Sequence, residues 1–312
     1  MERCCDKFVQ RQLLAEAGVP TPAYRMAANA MDVESSAAEI GLPVILKPAV
    51  GTGSSGVRLC RNLEEVAEHT TNLLGGKDTW LSSPKQRKWQ SSPRILVEEF
   101  VQGPHYCVHV MGHEVMGVEA ADFGRPPYFV CRDITFPASL TDVEYKRIAD
   151  VSLSCLQALG LGWGPTTVEL RWTKLGLVVI EVNPRLSGAP DPLLVQLAYG
   201  VDLITEHVKL VIGDEWNLRK RHSHTAAARY LIPDCDGTLD WIDGDSRAAA
   251  MSGVAEVKLY FEPETAIVRK GDNRDHIARV IAASPSRART EAIIQRAVDS
   301  IDWLIRPFPT LG

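Results

Sequence analysis

The chain contains no apolar run long enough to span a bilayer and no basic-then-apolar leader at its start, so neither a membrane span nor a secretory signal is expected. It contains no CxxC pair: its seven cysteines stand scattered at 4, 5, 60, 107, 131, 155 and 235. That excludes a zinc ribbon and a disulfide framework, and free thiols fit the cytosol. A charge excess is missing too. The net charge of −5 over 312 residues argues against a broad footprint for DNA or RNA. His69, His109, His113, His207, His222, His224 and His276 show no metal-ligand spacing; His222 and His224 form a weak pair on one side of a strand, and structural roles are expected. What is present is an ordinary globular composition, 45% hydrophobic and 23% charged, with room for two lobes.

The most informative stretch runs from Glu169 to Gly188. It reads as two short strands joined by a turn at Lys174–Gly176, with Glu169 on the first, Glu181 on the second, and Asn183 and Arg185 just beyond. Oxygen ligands from Glu169, Glu181 and Asn183 suit one or two Mg²⁺ ions shared with substrate phosphates, with Mn²⁺ as the alternative ion. Arg185 has the fork geometry to hold a phosphate or a developing anion. No soft-metal ligand set and no nucleophile accompanies them. The chemistry indicated is phosphoryl transfer.

Around this stretch the pattern is α+β, with strands and helices interspersed and no regular βαβ alternation. Asp6 caps a first helix that stops at Gly18, and a second runs from about Asp32 to Gly41. Val44–Pro48 and Val57–Cys60 read as a hairpin, and Asn62-Leu-Glu-Glu65 as a capping box opening a helix that ends near Gly75. Residues 76–93, with Trp80 and Trp89, read as a surface loop or lid. Strands follow at Ile95–Glu98, Tyr106–Met111 and Glu114–Glu119, then a capped helix from Thr141 to Gly160. Two helices over Pro190–Tyr199 and after Asp202 precede a tail closed by a helix from about Arg289 to Leu304.

Lys47 ends the buried run Ile45-Leu-Lys-Pro, and Gly51-Thr-Gly53-Ser54-Ser55-Gly56 follows with backbone N–H groups available to a phosphate. No Gly-Lys-Ser/Thr closes that turn, and a strand rather than a helix follows it, so it is neither a Walker loop nor a Rossmann fingerprint. Glu98-Glu99-Phe100-Val101 offers a backbone segment between two lobes, with apolar walls for a base.

In this order of motifs the chain resembles the ATP-grasp superfamily. The resemblance covers roughly residues 6–190, and Ala226-Ala-Ala-Arg229-Tyr-Leu-Ile-Pro with Gly237 is similar to the tail of the large lobe. It implies a two-lobed fold with ATP between a small lid lobe and a larger mixed-sheet lobe. The expected division is an opening helix and linker over 1–27, the small lobe over 28–100, the large lobe with the metal site over 101–221, and its C-terminal part over 222–312. It implies that Lys7 and Lys47 hold ATP phosphates, that Gly53, Ser54, Ser55 and Gly56 close over them, and that Glu98, Glu99, Phe100 and Val101 frame adenine. Glu169, Glu181 and Asn183 would hold Mg²⁺, while Arg185 and Arg229 would act on the activated substrate. For Arg229 a structural ion pair is an equal expectation. His105 stands where relatives often place a ribose-binding Glu.

The resemblance also implies small-molecule carboxylate and amine substrates, a homodimeric habit, and no nucleic-acid or membrane partner. Relatives usually carry a further α/β domain ahead of the Lys7 helix. Here a truncated start, a separate chain supplying that domain, or function without it are the alternatives. Within the superfamily the leading expectation is a carboxylate–amine ligase resembling the bacterial L-amino-acid ligases, acting through an acyl-phosphate. A bicarbonate-phosphorylating carboxylase and a non-catalytic nucleotide-binding subunit are the rivals. No Met-Lys-Met biotin attachment motif is present.

Overall fold

The computed structural model describes residues 2–75 and 94–309, so the expected lid with Trp80 and Trp89 lies outside the described residues. A short helix α1 (Glu2–Cys5) leads into α2 (Lys7–Glu16), capped by the Asp6 carboxylate, which accepts from Phe8 N–H at 2.9 Å. The small lobe follows: β1 (Tyr24–Ala27), α3 (Ala30–Ile40), β2 (Val44–Pro48), β3 (Arg58–Cys60), α4 (Leu63–Leu74) and β4 (Ile95–Glu99). Its four strands form an antiparallel sheet in the order β1-β4-β2-β3. The cap of α4 is one-sided. Asn62 accepts from Glu65 N–H, but the Glu65 carboxylate turns to Arg61 N–H instead of completing the box.

The large lobe contains β5 (His105–Met111), β6 (Glu114–Phe123), β7 (Cys131–Phe136), α5 (Asp142–Leu159), β8 (Pro165–Thr173), β9 (Gly176–Asn183), α6 (Asp191–Tyr199) and α7 (Leu203–Ile212). It continues through β10 (Thr225–Leu231), β11 (Gly237–Asp243), α8 (Asp245–Ala249), β12 (Val254–Leu259), β13 (Ala266–Ile267), β14 (Ala278–Ser284), α9 (Arg287–Val298) and β15 (Asp302–Arg306). Eight of these strands form one antiparallel sheet, β12-β14-β10-β7-β6-β5-β8-β9, and β13-β11-β15 form a small second one. The reciprocal capping box expected at Thr141 is present, with Glu144, and α5 ends on Gly160 in the left-handed region at φ 67°.

β1 and β7 have no counterpart among the strands expected from sequence, and the closing helix stops at Val298 rather than near Leu304. Residues 302–306 instead pair with β11 from Thr238↔Arg306 to Asp243↔Asp302, because strand pairing there wins over helical continuation.

Strand alternation decides where a site can form. Val108, Val110, Val118, Val168 and Leu170 point to one face, where α2 and α5 bury them with Leu14, Ile148 and Leu156. Burying such a side chain completely contributes about 1.5–3 kcal/mol. The interleaved residues His105, Cys107 and His109 face the other side. There α6 covers one end through Leu194, Val195 and Ala198, and the small lobe stands over the rest. The space left is a cavity of about 330 Å³.

Candidate active site

The cavity floor is three rows of side chains running across strands β9, β8, β5 and β6. In the middle row Glu181 pairs with Glu169, Glu169 with Cys107, and Cys107 with Glu119. One row on, Asn183, Thr167 and His109 are in register; one row back, Arg171, His105 and Ala121 are. Directly opposed residues on antiparallel strands share a face, so the predicted metal ligands Glu169, Glu181 and Asn183 converge. A bulge on β9 at Ile180 lets Ile180 and Glu181 both face the cavity.

Helix α2 holds this end of the sheet. Gln10 donates to Val182 C=O at 2.9 Å and accepts from Val182 N–H at 3.0 Å. Arg11, fully buried, donates to the Ile180 carbonyl and pairs with Glu98 at 2.6 Å. Lys7 lies 3.0 Å from Glu181 and donates to Gly51 C=O at 2.9 Å, tying the glycine hairpin to the two opposed carboxylates. From the small lobe, Lys47 reaches down and pairs with Glu98 at 2.6 Å. The hairpin turns through Gly53 and Ser54 at φ 64° and 61° and is held by His69, whose Nε2 is 2.9 Å from Gly56 C=O. Asn273 N–H donates to Gly53 C=O at 3.3 Å, so the C-terminal part of the chain also touches the hairpin.

The electrostatics fit a bound dication. Burial, reinforced by Glu181, pushes Glu169 up to about 7. Burial would raise Glu181 as well, but Lys7 and Lys47 hold it below the usual carboxylate range. Two opposed carboxylates with an amide oxygen beside them form a hard-oxygen set, and Lys7 already supplies positive charge to it. Glu98 is also held low, because Arg11 and Lys47 outweigh its burial. Burial lowers Lys47.

Ser54, Ser55, Glu99, Phe100, Val101 and Arg185 line the same cavity. Gly56 lies at the hairpin's return, where an added Cβ would meet Leu73 at 2.9 Å. The Glu98 side chain is engaged by Arg11 and Lys47, and Glu99 N–H donates to Ala23 C=O at 2.9 Å. Arg229 is not brought to the cavity. Alternation along β10 turns it toward α9, where it pairs with Asp133, lies 3.6 Å from Glu291 and donates to Gln295 at 2.7 Å. Its neighbour Tyr230 faces the cavity instead. The sequence reading also missed Phe129, Ile180 and Asn273 on the walls. His222 and His224 are adjacent, with ring centroids 4.4 Å apart, and His222 bonds the Leu197 carbonyl at 3.1 Å, a structural role.

Residues 40–190 match the ATP-grasp domain model, and residues 229–306 match the model of L-amino acid ligase C-terminal domain 2. The chain contains an ATP-grasp domain. Its large lobe ends in the L-amino acid ligase type of C-terminal domain. Among solved ATP-grasp folds it resembles the L-amino acid ligase from Bacillus licheniformis, with a TM-score of 0.83 and 20% identity over 98% of this chain and 74% of that one. It is 60% identical over 311 residues to the uncharacterized protein y4rH of Sinorhizobium fredii, covering all of this chain and 63% of that one. Dapdiamide A synthase of Enterobacter agglomerans is 21% identical over 83% of this chain and 62% of its own length. The chain thus spans less than two thirds of the first curated relatives it matches. Among the described residues no helix is long and apolar enough to cross a membrane.

His105 takes a definite place in this ATP-grasp cavity. Burial lowers it to about 3, so it is neutral, and its 3.6 Å approach to Glu169 is no ion pair. Its Nδ1 is buried without a partner. If that nitrogen serves a ribose hydroxyl, His105→Ala will raise the ATP KM about ten-fold, the size of one lost hydrogen bond. Steady-state kinetics in varied ATP checks this, and an unchanged KM removes the role.

Proposed function

We propose that the chain is an ATP-dependent carboxylate–amine ligase, ADP-forming, that acts through an acyl-phosphate and joins amino acids or builds a peptide-like product. The observation that carries the reading is the register pairing of Glu169 with Glu181 beneath Lys47 and the glycine hairpin. The L-amino acid ligase C-terminal domain supports the substrate class.

ATP lies between the lobes, its base against Phe100, Val101, Phe129 and Ile180 and its phosphates under the hairpin. Lys7 and Lys47 neutralise phosphate charge. Glu169, Glu181 and Asn183 would hold Mg²⁺, which when bound offsets charge on the transferring phosphoryl group. An oxygen of the substrate carboxylate attacks the γ-phosphorus as the bond to ADP breaks. The substrate amine then attacks the acyl carbon, phosphate leaves, and the nitrogen gives up a proton. Arg185 stabilises the anion of the tetrahedral species, and enclosure by the two lobes keeps water from the acyl-phosphate. Arg185→Ala is therefore expected to lower kcat by about 100-fold, the typical cost of one oxyanion donor, with the ATP KM nearly unchanged.

The test is ADP release with Mg²⁺-ATP across single and paired amino acids, with bicarbonate as a separate arm. Release stimulated by particular amino acids and accompanied by a new amide product supports the ligase. Stimulation by bicarbonate alone replaces it with a carboxylase-type reaction. Silence throughout, with nucleotide still bound, leaves a nucleotide-binding role.

A further inference from the structure

We propose that β15 pairs with its own counterpart on a second copy of this chain, antiparallel and centred on Leu304, so that the small sheet continues across a two-fold axis. β15 lies at the edge of the order β13-β11-β15. Among the described residues no backbone hydrogen bond reaches 302–306 from the side away from β11. A strand left open in this way is a template for another strand. The edge reads Asp302-Trp-Leu-Ile-Arg306, and its burial alternates strictly. Trp303 and Ile305 turn in, against the core that Leu239 and Ala297 help to form. Asp302, Leu304 and Arg306 turn out, beside Trp241 and Asp243 of β11.

That outward face carries both an apolar contact and charges to share. Trp241 and Leu304 oppose one another across the ladder and are 41% and 44% exposed. At one end Asp302 opposes Asp243, placing like charges side by side. Asp243 has Arg247 at 3.4 Å, whereas Asp302 has no ion-pair partner among the described residues. At the other end Arg306 is exposed, 2.9 Å from Asp240 and 3.3 Å from Glu264.

Symmetry leaves few registers. Two copies of one edge strand laid antiparallel are related by a two-fold axis normal to the sheet. That axis keeps outward residues outward, so one residue must oppose its own copy. Centred on Asp302 or on Arg306, the pairing sets like charge against like. Centred on Trp303 or on Ile305, it sets Leu304 against a charge. With Leu304 at the centre, Asp302 of each copy meets Arg306 of the other, and Leu304 meets Leu304. The outer face then carries a row of Trp241, Leu304, Leu304 and Trp241, while on the inner face Trp303 opposes Ile305. Pro307 has no N–H to donate and ends the ladder. Such an interface is small, and a dissociation constant of about 1–100 µM is expected.

The experiment is sedimentation velocity on the full chain, over a concentration series bracketing that constant, with Asp302→Arg and Arg306→Asp as separate variants. Wild type is expected to dimerise. Each variant alone carries one sign of charge at both ends of β15, and is expected to dimerise at least about ten-fold more weakly. Mixed in equal amounts, the two variants complement each other at both ends and are expected to form a heterodimer about as tight as the wild-type dimer. A cooperative thermal melt certifies each variant as folded. Amide hydrogen exchange over 302–306 should slow as the wild-type concentration rises. A wild type that stays monomeric across the series, a dimer that either variant leaves equally tight, a mixture of folded variants that stays apart, or exchange at 302–306 that ignores concentration would each overturn the pairing.

Discussion

Glu181→Gln is expected to lower amino-acid-stimulated ADP release by about three orders of magnitude, ~4 kcal/mol of activation free energy, with the fold intact. The substitution keeps the side chain's size while removing a charge used twice. Glu181 opposes Glu169 in the proposed metal pair and receives Lys7 at 3.0 Å. With glutamine there, Lys7 loses its anionic partner and the hard-oxygen set loses one of its two charges. Glu169, pushed up to about 7 by burial and by Glu181, should fall toward the ordinary range, but one carboxylate would hold Mg²⁺ less firmly than two. Single-turnover ADP formation with circular dichroism as the fold check measures it. Full activity in the variant would dismantle the metal assignment.

Glu98→Gln is expected to destabilise the fold by about 3–5 kcal/mol, because it strands two buried cations. Arg11 and Lys47 both lie 2.6 Å from this carboxylate, and all three side chains are almost fully enclosed. The pH dependence follows from the same geometry. The folded-state pKa of Glu98 is depressed, so its stabilisation is complete above the unfolded value, about 4.3, and is lost as pH falls through the depressed one. Urea denaturation should show the full difference between wild type and variant at neutral pH and a closing gap in acid. A constant gap down to the acid limit would mean the network carries no net charge interaction.

How much of this was legible in the sequence depended on how far each contact reaches along the chain. Glu169, Glu181 and Asn183 sit on one hairpin, where register follows from the turn, and their convergence could be read directly. Glu119, His109 and Asp191 come together through the β5–β6 and β5–β8 pairings and the docking of α6, and none of those leaves a spacing signal. Gln10 and Arg11 sit on a helix whose apolar stripe was visible, yet nothing local says that its polar face would clamp β9 and Glu98. Arg229 shows the limit most plainly. Its strand was recognised, but a one-residue difference in parity decides whether Arg229 or Tyr230 meets the cavity, and the pairing partners set that parity. The strand over 131–136 follows a proline-rich loop and carries a short, mixed pattern, so only its neighbours β6 and β10 establish it.

In–out alternation is the reading frame of a strand, and Ile180 is an insertion in that frame. Leu177, Val179 and Val182 keep strict parity toward the helices once Ile180 is set aside. The extra residue therefore adds something without disturbing what flanks it: an apolar wall next to an acid, at adjacent positions that an unbroken strand would send to opposite faces. It also turns one carbonyl aside for Arg11 to hold. In the proposed reading, base recognition and metal recognition are thus written on consecutive residues yet remain separable. Excising Ile180 is expected to straighten β9 and leave Glu181 and Asn183 facing inward, while removing both the carbonyl that Arg11 holds and the surface against which a purine would lie.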